Sequence, residues 1–278
     1  MARRISFKTK LFVYIALTLF TIPILFPVYW MVISSLKTPD DLFSIPPKLL
    51  PAQMTLESYE NVIINSDIPR YLLNSFIIAT LTTLVALLIC VLAAYSFTRF
   101  EYPGKHLTLM AMLFSYIIPP VLLFLPFYII LSKLGLINTY IGIIVAHLTL
   151  VTPFLLWQLM PFFKSIPRSL EEAAMIDGAS IYQVLLKIVL PLAVPGIVSS
   201  GIFAFTLSWN EYLYASVIMN GEAHRTLPIG ISAFVSSHDI RWGSIMASSV
   251  LAAIPVVIIF RIIQNYFIEG MTAGAVKE

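Results

Sequence analysis

The sequence predicts an all-α membrane protein with six transmembrane helices, and three observations carry that prediction. Of its 278 residues 59% are hydrophobic and only 11% charged, the mean hydropathy is +0.91, and the charged residues are spaced to leave long uncharged intervals. A helix needs about 20 predominantly apolar residues to cross a bilayer, and lipid offers no partner for exposed N–H and C=O groups, so each such interval must be helical. No water-soluble core of this size absorbs so much apolar surface, which excludes a soluble enzyme. The net charge of +3 is too small and too scattered for a nucleic-acid footprint.

In chain order, the first span is expected at Leu11 to Leu36, behind Arg3, Arg4, Lys8 and Lys10. The basic start resembles a signal peptide, but the apolar stretch is far longer than a signal's core, so an uncleaved helix is expected. An outer loop from Lys37 to Arg70 follows, broken by Pro39, Pro46, Pro47 and Pro51, with one short surface helix near Thr55 to Asn65. Further spans are expected at Tyr71 to Thr98, Leu107 to Ser132, Leu134 to Phe163, Ile188 to Asn210 and Trp242 to Phe260, the last only just long enough to cross. A second long outer loop covers about Glu211 to Arg241. Pro23, Pro27, Pro119, Pro120, Pro126, Pro153, Pro195 and Pro255 fall inside the spans, where each removes a helix bond and invites a kink. The chain thus divides into residues 1–36, a loop at 37–70, and a five-helix remainder at 71–278 with a cytoplasmic loop at 164–191 and a tail at 261–278.

Eleven of the 17 basic residues share one side: Arg3, Arg4, Lys8, Lys10, Arg99, Lys105, Lys164, Arg168, Lys187, Arg261 and Lys277. By the positive-inside rule that side is the cytoplasm, and both termini are expected there. Cys90 is the sole cysteine and lies in an apolar run, so no intrachain disulfide forms and a packing role is expected.

The stretch from Lys164 to Leu190 has more local order than a connecting loop. Ser169 with Glu172 forms an S-x-x-E capping box, which starts a helix over roughly Leu170 to Asp177. Gly178 is expected to end it in the left-handed conformation. Ser180 with Gln183 then starts a second helix, with Ile181, Val184, Leu185 and Ile188 on one stripe, and Leu190-Pro191 is expected to break it where the chain turns into the fifth span. On the first helix Leu170, Ala173 and Ala174 share a face, and the alanines let another backbone approach closely. Glu171, Glu172 and Asp177 edge it with charge that suits a basic cleft in a partner. A helix resting on lipid headgroups also fits, although such helices usually carry Lys and Arg.

Glu172-Ala173-Ala174, Gly178, Ile188 and Leu190-Pro191 fall at the spacing E-A-A-x3-G-x9-I-x-L-P, which resembles the EAA signature of permeases in ATP-binding-cassette (ABC) importers. Trp30 with Ser35-Leu36-Lys37, Ser208-Trp209-Asn210-Glu211, Thr226-Leu227-Pro228, Trp242-Gly243 and the tail from Gly270 to Lys277 resemble the carbohydrate branch, especially the smaller permease of maltose-type systems. The resemblance implies a type I (MetI-like) permease core in the cytoplasmic (inner) membrane. It also implies a second permease, two cytoplasmic ATPase subunits that bind ATP and Mg, an extracytoplasmic solute-binding protein and a sugar substrate. On this resemblance Glu172, Ala173, Ala174 and Gly178 sit on a coupling helix seated in the ATPase, flanked by Glu171 and Asp177. Thr272, Gly274 and Lys277 of the tail reach the same interface, and Phe234, Val235, Ser236, Ser237, His238 and Asp239 project toward the binding protein. Glu278 stands where relatives often have glycine.

The chain itself carries no P-loop, since Gly104-Lys105 lacks the earlier glycine and the following hydroxyl residue, so energy must come from a partner. Neither H-E-x-x-H nor G-x-S-x-G occurs, and no Cys/His cluster suits zinc, which leaves no sign of an enzyme, cofactor or metal. An ion-driven carrier is the alternative, and its signature would be ionisable groups inside the spans. His147 is the one mid-span candidate, and a hydrogen bond to a neighbouring helix explains it more simply. Trp209, Asn210, Glu211 and Tyr212 mix aromatic faces with amide and carboxylate groups, which suits a sugar pathway and equally an aromatic belt. Tyr116 and Trp157 share that ambiguity. A di- or oligosaccharide, a polyol and a glycerophosphodiester all remain open as substrates.

Overall fold

The computed structural model describes residues 7–235 and 240–273. Its helices are α1 (Phe7–Ser35), α2 (Pro39–Leu42), α3 (Glu57–Ile63), α4 (Ile68–Arg99), α5 (Lys105–Ile117), α6 (Pro120–Lys133), α7 (Tyr140–Ser165), α8 (Arg168–Ile176), α9 (Ile181–Val184), α10 (Leu190–Trp209), α11 (Leu213–Ile218), α12 (Leu227–Ser232) and α13 (Trp242–Ala273). Among the described residues five helices are long and apolar enough to cross a membrane, and a sixth span results if the bent pair α5 and α6 counts as one. The chain separates into two compact units, 1–69 with 231–254 and 70–230 with 255–278, within their described residues.

In the first unit α1 exposes its apolar side chains over its whole length, as a lipid-facing helix does. The expected surface helix is present as α3, while α2 is an addition that the sequence reading passed over. The loop around α2 is ordered by charge. Asp41, 4% exposed, accepts from Lys48 Nζ at 2.5 Å and from the Ala52 N–H at 2.5 Å. Lys37 is also buried, with its Nζ donating to the Lys48 carbonyl at 2.6 Å and lying 4.3 Å from the Trp30 ring. Burial of two charges is tolerable because each is fully engaged. At the start of α13 Gly243 packs on Ser58, where an added Cβ would come within 2.4 Å of the hydroxyl.

In the second unit α4, α7 and α10 enclose one core of Ala86, Cys90, Ala94, Leu155, Leu156, Leu159, Phe163, Val189, Ala193 and Ala204, which confirms Cys90 as a packing residue. Small residues permit the close approach, as at Gly196, which faces the Phe162 ring. The stretch leading into α12 is tied down by Asn74, whose Nδ2 donates to the Ala223 and Arg225 carbonyls at 3.0 and 2.9 Å while its Oδ1 accepts from Tyr140.

Three expected elements are revised. The third span is not one helix: it breaks between Ile117 and Pro120, and α5 and α6 meet at 105°. Pro119-Pro120 explains the break, since a proline disfavours helix at the residue before it yet suits a helix start. The fourth span starts at Tyr140, after the positive-φ residues Gly135 and Asn138, with the Thr139 hydroxyl accepting from the Gly142 N–H. The last helix is not short but runs 32 residues, because the Arg261 side chain interrupts the apolar run without interrupting the helix.

Candidate functional site

The elbow, expected on the cytoplasmic side, begins where α7 ends. Pro167 forces Ile166 into extended backbone at ψ 121°, so the chain turns a corner there and helix resumes at Arg168. The expected Ser169–Glu172 box therefore does not form. Pro167 occupies the cap position with no side-chain bond, and Ser169 already lies inside the helix.

The other end matches expectation. Gly178 adopts φ +87°, its N–H donates to the Met175 carbonyl at 3.1 Å, and the Ala179 N–H donates to Ala174 at 2.9 Å. These two bonds define a Schellman ending. The Ser180–Gln183 box is present in both directions, at 3.4 and 2.8 Å. The expected break at Leu190-Pro191 is absent. Residues Leu185–Val189 form a π-turn, the Leu190 N–H reaches the Leu185 carbonyl, and helix continues from Ile181 to Trp209. The wider turn accommodates a proline that would otherwise clash with the carbonyl four residues back.

The acidic edge is split in two. Glu172, Ala173, Asp177 and Gly178 are exposed, and Ala174 is half-buried against the core. Glu171 turns inward instead and is 5% exposed. Its Oε1 accepts from Arg99 Nε at 2.5 Å and its Oε2 from the Tyr95 hydroxyl at 3.2 Å. Arg99 Nη2 also donates to the Ile166 carbonyl at 3.0 Å, and Arg168 Nη2 to the Thr98 carbonyl at 2.8 Å. Sequence reasoning missed Arg99 and Tyr95 because they lie 72 and 76 residues away. It also missed Ile176, 86% exposed, and Tyr182, 77% exposed, which add apolar surface beside the acids. Ile176 lies three residues after Ala173 and four after Glu172, a spacing that puts it on the same outward face.

The other candidates are dispersed. Trp209 is buried and stacks on Phe205 at 5.5 Å; Asn210 donates to the Thr206 carbonyl; Tyr212 is 47% exposed. Glu211 accepts from the Tyr214 and Ala215 N–H groups at 2.8 and 3.0 Å, capping α11, and pairs with His147 Nε2 at 3.2 Å. His147 Nδ1 bonds Ser208 at 2.7 Å, as expected of a histidine tied to a neighbouring helix, and the carboxylate partner is a finding beyond the sequence reading. Tyr116 and Trp157 stand with Phe154 around a cavity of about 400 Å³. Phe234 is buried and its carbonyl accepts from the Arg241 N–H, while Val235 is exposed and bridges Ile240. Ser236, Ser237, His238, Asp239, Gly274 and Lys277, and the side chain of Thr272, lie outside the described residues.

A helical elbow set between apolar spans long enough to cross a membrane defines the class as a membrane-spanning protein. Residues 86–273 match the family of binding-protein-dependent transport system inner membrane components, and the chain belongs to that family. It is 35% identical over 95% of both chains to the inner membrane ABC transporter permease protein YcjP of Escherichia coli (strain K12). It is 36% identical to the trehalose/maltose transport system permease protein MalG of Thermococcus litoralis, covering 96% of this chain and 97% of that one. Among solved structures, one chain of a bacterial ABC transporter involved in the import of alginate superposes with a TM-score of 0.79 at 22% identity, covering 96% of this chain and all of the other. The fold is thus the permease fold of these importers, and the chain is an inner-membrane ABC permease subunit.

Proposed function

We propose that this chain is one of two permease subunits in a binding-protein-dependent importer that moves a di- or oligosaccharide into the cytoplasm. Two ATPase subunits, carrying ATP and Mg, supply the drive, and an extracytoplasmic protein delivers the sugar. The observation that carries the coupling role is the elbow: a nine-residue helix, stiffly ended by Gly178, presents Glu172, Ala173 and Ile176 outward on the face expected to be cytoplasmic. Closure of the ATPase pair pulls on that face, the elbow carries the displacement into the spans, and the pathway opens alternately to the two sides. An exposed methyl at Ala173 lets a groove close over it, while Glu172 and Asp177 set orientation against basic groups. Sugar as the cargo rests on the relatives' trehalose and maltose, and the aromatic wall of Tyr116, Phe154 and Trp157 offers ring faces for stacking.

Among the described residues, the buried His147–Glu211 pair is the feature that favours an ion-driven carrier. Both carboxylate oxygens already serve backbone N–H groups of α11, which is the work of a structural cap. Uptake of labelled trehalose and maltose, measured with the partner subunits coexpressed, separates the two readings. ATP-dependent uptake that survives collapse of the ion gradient, and is abolished by Ala173→Arg while the subunit still inserts, is the expected result. Undiminished uptake in that variant overturns the coupling role.

A further inference from the structure

The contact between the end of α4 and the elbow is built like a clip, and nothing in the coupling scheme above requires it. Arg99 leaves the last turn of α4 and reaches both α8, through Glu171, and the α7–α8 corner, through the Ile166 carbonyl. Arg168 leaves the first turn of α8 and returns to the Thr98 carbonyl at the end of α4, where a cation also meets the negative end of the helix dipole. Both oxygens of Glu171 are used, the second by Tyr95. The ion pair is sealed, with 7% and 6% of its two side chains exposed. A carboxylate that met a partner's groove would have to be open to it, and Glu171 is not. Replacing a buried ion pair by well-packed apolar residues is often neutral or stabilising, so the pair's worth here lies in the orientation its bonds fix rather than in stability.

We infer that Glu171 and Arg99 are positioning residues that make the end of α4, the α7–α8 corner and the elbow one rigid body, so that displacement of α8 enters the second span directly. Along the chain alone, α8 is joined only to α7 and α9. The inference rests on the coupling reading above, and it divides the two neighbouring glutamates by role: Glu172 faces outward and Glu171 holds the helix that bears it.

The test uses the permease complex with its ATPases, carrying nitroxides on cysteines placed at the exposed positions Glu101 and Ser169, with the distance between them read by pulsed electron paramagnetic resonance. In the otherwise unaltered chain the distribution is expected to be narrow and to stay the same without nucleotide and after trapping with ATP and vanadate. Arg99→Ala and Glu171→Gln are each expected to broaden it, and the exchange Arg99→Glu with Glu171→Arg to narrow it again. Recovery in the exchange separates a positional role from simple misfolding. Single variants as narrow as the parent overturn the inference, as does loss of the ATPase in Glu171→Gln but not in Arg99→Ala, which would make Glu171 a direct contact. A parent chain that purifies without any ATPase would sink the coupling reading instead, and the same distances in the permease alone would still decide the clip.

Discussion

Single residues fix local backbone by different means. At Gly178 no atom lies within 4 Å of an added Cβ, so the requirement for glycine comes from the backbone alone. A φ of +87° costs an L-residue about 1 kcal/mol or more. Gly178→Ala is therefore expected to lower the thermal stability of the purified subunit modestly while the subunit still inserts, and Gly178→Pro to abolish coupling. Asp41 is a second case. The Lys48 ammonium, bonded to it, and the Ala52 N–H hold its carboxyl below the ordinary value of 3.8. A lowered folded-state pKa means that the stabilisation is full above 3.8 and is lost as pH falls through the lowered value. The protection factor of the Ala52 amide against hydrogen exchange should fall in that acid range, and at neutral pH in Asp41→Asn.

At the scale of elements, helix pairing depends on a few close approaches. Gly196 of α10 lies so near the Phe162 ring of α7 that a methyl group would sit 2.4 Å from its Cγ. Gly196→Ala must push the helices apart or displace the ring, at a cost of about 1–3 kcal/mol, and a lowered unfolding temperature in detergent would show it. The helices themselves were largely legible, because runs without charge mark what must lie in lipid. Their ends were less so. Charge spacing is blind to Pro119-Pro120, which splits α5 from α6, and it read Arg261 as an end although a long basic side chain at a helix terminus can reach the interface from inside a continuing helix. The Ser169 box failed because Pro167 had already set the corner, so the later capping signal found no free helix start.

For the molecule as a whole, the asymmetry of Lys and Arg predicts that both termini and the elbow lie on the cytoplasmic side. Reporter fusions at residues 1 and 278 should both score as cytoplasmic, and a cysteine at Tyr182 should react with an impermeant thiol reagent only from that side. The elbow's first helix was legible from local signals: Glu172, Ala173 and Ala174 fall within one turn and Gly178 ends the helix, and local rules govern such features. Its attachment was not. The pairing of Arg99 with Glu171 and that of His147 with Glu211 join residues 72 and 64 apart, and no local rule announces which distant charge will fold against which. In a chain with so few ionisable groups, burial of both pairs makes them consequences of topology.

The π-turn at Leu185–Val189 works as a gear between two rods. Each residue advances an α-helix by about 100°, so one residue beyond the regular count turns everything downstream by roughly that angle. Val184 and Leu185 thereby meet the core before the turn, and Val189 and Ala193 meet the same core after it. Wound as a regular α-helix with every residue kept, the fifth span would be turned on its axis, with Leu192 and Pro195 aimed where Ala193 and Gly196 now lie, whereas excising a single residue between Leu185 and Val189 would close the turn and keep Ala193 on the core.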